Sequence, residues 1–171
     1  TPIARYIYET GTKHGKRVQA LGGAKNHMIV LPDADIEMAA DAAVSAAYGS
    51  AGERCMAVSV VVAVGDAADP LVAAIRERLP KITVGDGMDP TSEMGPLVSA
   101  RQRERVEGYV AKGREEGARL ATGGGRPAHL ARGYYVEPTV FGGVDNRSTI
   151  GREEVFGPVL AVVPADDEEQ A

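Results

Sequence analysis

Hydrophobic residues occur along the chain in two arrangements, short continuous runs and faces at helical spacing. The runs are rich in valine and isoleucine, as expected of buried strands in a parallel sheet. Together with shorter extended segments, they predict strands at residues 17–21, 27–31, 58–64, 118–121, 134–141 and 159–163. The spaced faces predict helices at residues 2–14, 33–49, 66–79 and 99–117. Because strands alternate with long helices, we predict an α/β fold with a mainly parallel open sheet and helices on both faces.

This fold class also predicts where functional loops lie. In open sheets of this kind, ligand sites gather at the carboxyl ends of the strands and in the loops beyond them. We therefore expect the functional residues in those loops, and the chemistry of the residues must then decide the function.

Composition excludes several classes of function. The chain has 171 residues and a net charge of −5, from 19 Lys and Arg against 24 Asp and Glu, and its basic residues are scattered, so we expect no nucleic-acid partner. It has neither an apolar stretch of the ~18 residues needed for a membrane span nor a signal peptide. A single cysteine and three scattered histidines predict a reducing compartment and no metal site. Because the chain starts without Met and stops soon after an apolar strand, we interpret it as part of a longer protein.

Cys55 is the only soft nucleophile in the chain. It follows a glycine-rich turn, and the adjacent Arg54 would favour its thiolate form, so a reactive thiol is one interpretation. A second is a small buried cysteine that only packs. A third is a cysteine–histidine pair, for which folding would have to bring in His14, His27 or His129.

Five motifs in order resemble those of the aldehyde dehydrogenases. They are Leu-Gly-Gly-Ala-Lys-Asn-His at 21–27, Gly-Ser-Ala-Gly-Glu-Arg-Cys-Met-Ala at 49–57, and the segments 89–97, 133–139 and 153–158. The resemblance covers almost the whole chain, but only the middle-to-late portion of a family member. It implies that residues 1–21 are the closing helix and strand of a nucleotide-binding domain and that residues 22–171 are the catalytic domain, truncated at its C-terminal end.

The resemblance also implies a role for individual residues. Cys55 would attack an aldehyde and carry the resulting thioester, with its backbone N–H as half of an oxyanion hole. NAD would be the cofactor, with Glu154 on the nicotinamide ribose, Phe156 near the nicotinamide, and Leu21 and Gly22 at the same end.

Within the family, segments 24–28 and 52–57 most resemble those of the methylmalonate-semialdehyde dehydrogenases, and the residue before the Leu-Gly-Gly run indicates a CoA-acylating member. Hydrolytic members have a glutamate before the Leu-Gly-Gly run, whereas this chain has Ala20, which cannot activate water. Arg54 would then bind the substrate carboxylate through paired hydrogen bonds, and coenzyme A would accept the acyl group to give propionyl-CoA or acetyl-CoA with loss of CO2. The alternatives are another general base, a disabled enzyme, or an Arg54 that only pairs with Glu53 or Glu154.

Further expectations follow from the same resemblance. The full-length parent would be a homotetramer or homodimer, in the cytoplasm of a bacterium or the mitochondrial matrix of a eukaryote. A hydrolytic semialdehyde dehydrogenase is the alternative function, and we expect the chain by itself to be catalytically inert. The three glycines at 123–125 are interpreted as a flexible turn, because the Lys-Ser/Thr ending of a phosphate-binding loop is missing.

Overall fold

One mainly parallel sheet organises the computed structural model, which describes residues 2–171. Within those residues it contains β1 (Asn26–Val30), β2 (Val58–Val64), β3 (Arg119–Thr122), β4 (Thr139–Gly142) and β5 (Val159–Ala165). The strand order is β1-β2-β5-β4-β3, and each neighbouring pair is parallel except the antiparallel pair β3 and β4. The predicted open, mainly parallel sheet is therefore confirmed.

The helices connect the strands as the spacing of apolar residues predicts. They are α1 (Pro2–Lys13), α2 (Ile36–Tyr48), α3 (Ala68–Arg78), α4 (Ala100–Glu115) and the short α5 (Thr149–Arg152). The side chain of Asp35 caps α2 by accepting a hydrogen bond from the Met38 N–H, and Ser99 caps α4 in the same way through the Gln102 N–H. No helix within residues 2–171 is long and apolar enough to cross a bilayer.

Helices cover both faces of the sheet. Phe141 and Gly142 are consecutive in β4, so their side-chain directions point to opposite faces. A Cβ at Gly142 would contact Val72 of α3, whereas the ring of Phe141 lies against Gly113 of α4. The core between these layers is aliphatic, and residues 60–64 of β2 are all buried. Burial on both faces explains why residues 60–64 are all apolar.

Two of the predicted extended segments differ in the structure. Residues 17–21 form no strand, because no other segment within residues 2–171 supplies a hydrogen-bonding partner for them. The segment at 134–141 is a strand only from Thr139, and its first part is held by single hydrogen bonds, from the Leu97 N–H to the Tyr134 carbonyl and from the Glu137 N–H to the Gly125 carbonyl. The division into two domains at residue 21 stays a prediction.

Candidate active site

A strained turn leads from α2 to Cys55. Ser50 and Ala51 both have φ of 53°, and Gly52 follows with φ of 69°, so three consecutive residues adopt left-handed backbone angles. Non-glycine residues reach this region at a cost and keep it where the surrounding structure holds them there. Two residues of this turn, Ala51 and Gly52, are buried. The chain is thus forced into a sharp bend just before the cysteine.

A second set of hydrogen bonds fixes the backbone of Cys55 itself. The Ala57 N–H donates to the Arg54 carbonyl at 3.0 Å, which closes a turn around the cysteine. The side-chain amide of Asn26, the first residue of β1, donates to the carbonyls of Cys55 at 2.8 Å and Ala57 at 3.0 Å. The Cys55 N–H donates to no other group within residues 2–171. That N–H is therefore available to a ligand.

The cysteine is exposed and opens into a cleft. Arg54, Glu154 and Phe156 line the same cleft, so the structure brings four of the six predicted site residues together. Within residues 2–171, Cys55 is therefore not a buried packing residue.

The cleft lies at the amino ends of the parallel strands. Its residues come from the start of β1 and from the segments that lead into β2 and β5. The expectation that functional loops follow the carboxyl ends was wrong for this site. The physical reason is that the strained turn and the side chains that hold it precede the strands, so the reactive group is presented before β2 begins.

Arg54 forms no ion pair with any other of residues 2–171. Within residues 2–171 it forms a salt bridge with neither Glu53 nor Glu154. One Glu53 carboxylate oxygen accepts a hydrogen bond from the Val98 N–H at 3.0 Å, and the other is buried without a partner, so burial raises the pKa of Glu53. Arg54 is thus a cation without a salt bridge among the residues that line the cleft.

The histidines do not take part in this arrangement. In each histidine, one ring nitrogen lies within hydrogen-bonding distance of a backbone carbonyl oxygen. The distances are 2.8 Å from His14 to Thr10, 2.7 Å from His27 to Lys25 and 3.3 Å from His129 to Val84. None of the three rings lines the cleft. The structure therefore gives no support to a cysteine–histidine pair.

The remaining predicted positions lie outside the cleft lining. Leu21 is 83% exposed and Gly22 is also exposed, in the irregular segment before β1, and Ala20 is partly buried there. Their roles stay predictions.

The glycine turn at 123–125 is bonded to other parts of the fold. The Gly124 N–H donates to the Thr139 hydroxyl and the Gly125 N–H donates to the Glu137 carboxylate. These bonds occupy two donors that a phosphate would need.

The segment that carries Glu154 and Phe156 is held by side chains that sequence reasoning did not identify. Phe156 has φ of 56°, and the Gln102 amide donates to its carbonyl at 2.6 Å. Lys25 donates to the Glu153 carbonyl at 2.7 Å, and burial lowers the pKa of Lys25 to about 8, against the opposing effect of Glu154 and Glu153. The sequence offers one signal for these side chains, because Lys25 and Asn26 both lie inside the motif at 21–27.

Comparison with known proteins gives consistent matches along the whole chain. A sequence model described as the aldehyde dehydrogenase family matches residues 1–171. Malonate-semialdehyde dehydrogenase 3 of Geobacillus kaustophilus is 50% identical over 171 residues, which cover 99% of this chain and 35% of that protein.

Two solved structures are similarly close. The crystal structure of methylmalonate-semialdehyde dehydrogenase (DddC) from Oceanimonas doudoroffii superposes with a TM-score of 0.89 at 43% identity, over 98% of this chain and 35% of that one. Aldehyde dehydrogenase of Mycobacterium tuberculosis complexed with NAD+ gives a TM-score of 0.92 at 41% identity, over 99% and 35%. The chain thus spans about 35% of the length of these relatives.

Proposed function

Because the chain belongs to the aldehyde dehydrogenase family, we propose that the full-length protein oxidises malonate or methylmalonate semialdehyde and passes the acyl group from Cys55 to coenzyme A. The observation that carries this proposal is that three residues line one cleft: Cys55, which is exposed, Arg54, which forms no salt bridge within residues 2–171, and Glu154. The names of the relatives support the substrate class.

Cys55 is the nucleophile, and its thiol proton is released to solvent. Its sulfur forms a bond to the aldehyde carbon, and the carbonyl π electrons move to oxygen, which becomes an alkoxide. The Cys55 N–H, which has no acceptor within residues 2–171, can donate to that oxygen as negative charge develops. Collapse of the alkoxide expels a hydride and leaves a thioester on the sulfur.

NAD+ supplies the acceptor for this hydride when it is bound. The residues fit such a cofactor, since Glu154 and Phe156 line the same cleft and the Glu154 carboxylate makes no hydrogen bond or salt bridge within residues 2–171. A free carboxylate can accept hydrogen bonds from two ribose hydroxyls. Leu21 and Gly22 are proposed contacts at the same end of the cofactor, and the NAD+ complex of a relative supports the choice of cofactor.

Arg54 gives selectivity for an aldehyde that also carries a carboxylate. Its planar guanidinium can bind a carboxylate through two parallel, charge-assisted hydrogen bonds. Arg54 and Cys55 are adjacent and line the same cleft, which favours a short aldehyde that carries its own carboxylate, such as a three-carbon semialdehyde. The product acyl group then loses CO2, and its α-carbon takes up a proton, which gives acetyl or propionyl thioesters.

The absence of a base before the Leu-Gly-Gly run favours coenzyme A over water. Ala20 cannot accept a proton, and general-base assistance is typically worth about 10² to 10⁴ in rate. The thioester on Cys55 should therefore persist until a thiolate attacks it. That attack forms the new carbon–sulfur bond of acyl-CoA and returns the Cys55 thiolate.

Release of NADH from malonate semialdehyde, measured in the full-length protein with and without coenzyme A, tests the proposal. We expect steady turnover only with coenzyme A, and a single stoichiometric burst without it. Equal rates in both conditions would indicate a hydrolytic enzyme and contradict the acylating mechanism. Cys55→Ala is the control, and it should abolish both the burst and the turnover.

A further inference from the structure

Side chains from elsewhere in the fold hold the backbone of the segment that contains Glu154 and Phe156. Four consecutive carbonyls each accept a side-chain hydrogen bond. The bonds run from Lys25 Nζ to Glu153 O at 2.7 Å, from Arg105 Nη2 to Glu154 O at 2.7 Å, and from Gln102 Nε2 to Val155 O at 3.4 Å and Phe156 O at 2.6 Å. Two of the three donors come from α4, and the third precedes β1.

The segment has little else to fix its shape. Residues 154–156 belong to no helix or strand and form no backbone-to-backbone hydrogen bond with any other of residues 2–171. Phe156 also holds a left-handed φ of 56°, which a residue with a Cβ adopts only under constraint. An external restraint on these carbonyls is therefore needed to keep the ring and the carboxylate in place.

We propose that Gln102, Arg105 and Lys25 are positioning residues that hold the Glu154–Phe156 segment in the geometry required to bind the nicotinamide-ribose end of NAD. This inference rests on the proposed function for the roles of Glu154 and Phe156. The three donors act through the backbone carbonyls of the segment and restrict its motion before the cofactor arrives.

Gln102 has the largest share of this effect. Its amide reaches two carbonyls, it is only partly exposed, and its shorter bond of 2.6 Å is to the strained residue Phe156. Arg105 is more exposed and also stacks on Tyr109, with its guanidinium carbon 5.4 Å from the ring centroid. Bonds that are exposed to water contribute less, so loss of the Arg105 bond should have a smaller effect than loss of the Gln102 bond.

Two measurements on the full-length protein test the inference. The first is hydrogen exchange of the backbone amides of residues 153–157 without cofactor, and the second is calorimetric titration with NAD+ without aldehyde. For Gln102→Leu, which keeps the size but removes the donor, we expect exchange about fivefold to tenfold faster and NAD+ binding weaker by a similar factor. Arg105→Ala should give a smaller change that Arg105→Lys partly restores, and Arg101→Ala, on the same helix without a contact to the segment, should match the wild type.

The outcomes separate positioning from other roles. Weaker NAD+ binding with unchanged exchange would mean that Gln102 only touches the cofactor, and this would overturn the inference. Unchanged exchange and affinity in both Gln102→Leu and Arg105→Ala would overturn it as well. A protein that shows the expected exchange and NAD+ affinities but oxidises no semialdehyde would support the inference and contradict only the proposed substrate.

Discussion

Replacement of Gly52 by alanine would test how tightly the turn before Cys55 packs against the segment that carries Glu154 and Phe156. A Cβ built at Gly52 lies 2.1 Å from the carbonyl oxygen of Gly157 and 2.5 Å from its carbonyl carbon. Both atoms belong to backbone, so no side-chain rotation can relieve the overlap. The substitution must therefore separate the two segments that carry Cys55 and Glu154.

Two effects contribute to the cost of this substitution. The left-handed φ of 69° disfavours a residue with a Cβ by roughly 1 to 2 kcal/mol. Ser50 and Ala51 tolerate similar angles in the same turn, so this contribution alone would not unfold the site. Overpacking typically costs about 1 to 3 kcal/mol, and the approach to backbone atoms places Gly52→Ala at the upper end. We expect a total loss of about 3 to 5 kcal/mol in the free energy of unfolding.

Urea denaturation gives the free energy, and the rate at which iodoacetamide alkylates Cys55 reports on the turn itself. We expect a lower midpoint and an altered alkylation rate for Gly52→Ala. Gly108→Ala is the matched control, since nothing lies within 4 Å of its Cβ and it lies inside α4, where alanine should stabilise by about 0.5 to 1 kcal/mol. A stability of Gly52→Ala within 0.5 kcal/mol of the wild type, a margin well below the usual cost of overpacking, would refute the packing argument.

Three further predictions concern single side chains. Burial lowers the pKa of Lys25 to about 8, below its value of 10.5 in the unfolded chain. Between pH 8 and pH 10.5 the unfolded state therefore binds more protons than the folded state. The free energy of unfolding should rise with pH over this range, by roughly 3 kcal/mol at most. Urea unfolding at pH 7.5, 9 and 10.5 should show this rise in the wild type and not in Lys25→Met, and equal slopes would contradict it. Tyr48→Phe removes a buried hydrogen bond of 2.8 Å to the Thr139 carbonyl and should cost about 1 kcal/mol by urea unfolding, whereas Tyr6→Phe, at an exposed ring, should be neutral. Arg54→Gln should raise the KM for malonate semialdehyde about tenfold to a hundredfold and leave that for propanal unchanged, and equal effects on both aldehydes would rule out carboxylate binding.

The sequence predicted those parts of the fold that depend on local pattern. The segment predicted at 58–64 is a strand over that same range, and its residues 60–64 are all apolar because both faces of the sheet are buried there. The helices predicted at 33–49 and 99–117 are found at Ile36–Tyr48 and Ala100–Glu115, where Asp35 and Ser99 each offer an oxygen to an N–H of the first turn. Cys55, Arg54, Glu154 and Phe156 were found through motifs, and the structure gathers them in one cleft.

Features that depend on distant partners were not predicted. Alternation at 17–21 resembles a strand, but pairing needs a neighbour, and residues 2–171 offer none. The four residues of α5 are too few to show helical periodicity. Asn26 and Gln102 act on carbonyls 29 and 54 positions away, and no local spacing indicates such contacts. The expectation that functional residues follow the carboxyl ends of the strands also failed, because the strained turn before β2, rather than the loop after it, presents the thiol.

The contacts at the cleft connect the nucleophile and the proposed cofactor segment into one packed unit. Gly52 lies directly against the backbone of Gly157, and a Cβ at Gly157 would in turn lie 2.4 Å from a methyl group of Val106, which is fully buried in α4. The same helix supplies Gln102 to the Phe156 carbonyl. A change at any one of these contacts should therefore move the thiol and the carboxylate together, because closely packed interiors transmit displacements instead of absorbing them. If Gly157→Ala altered NAD+ affinity while the alkylation rate of Cys55 stayed constant, the two halves of the site would have to move independently.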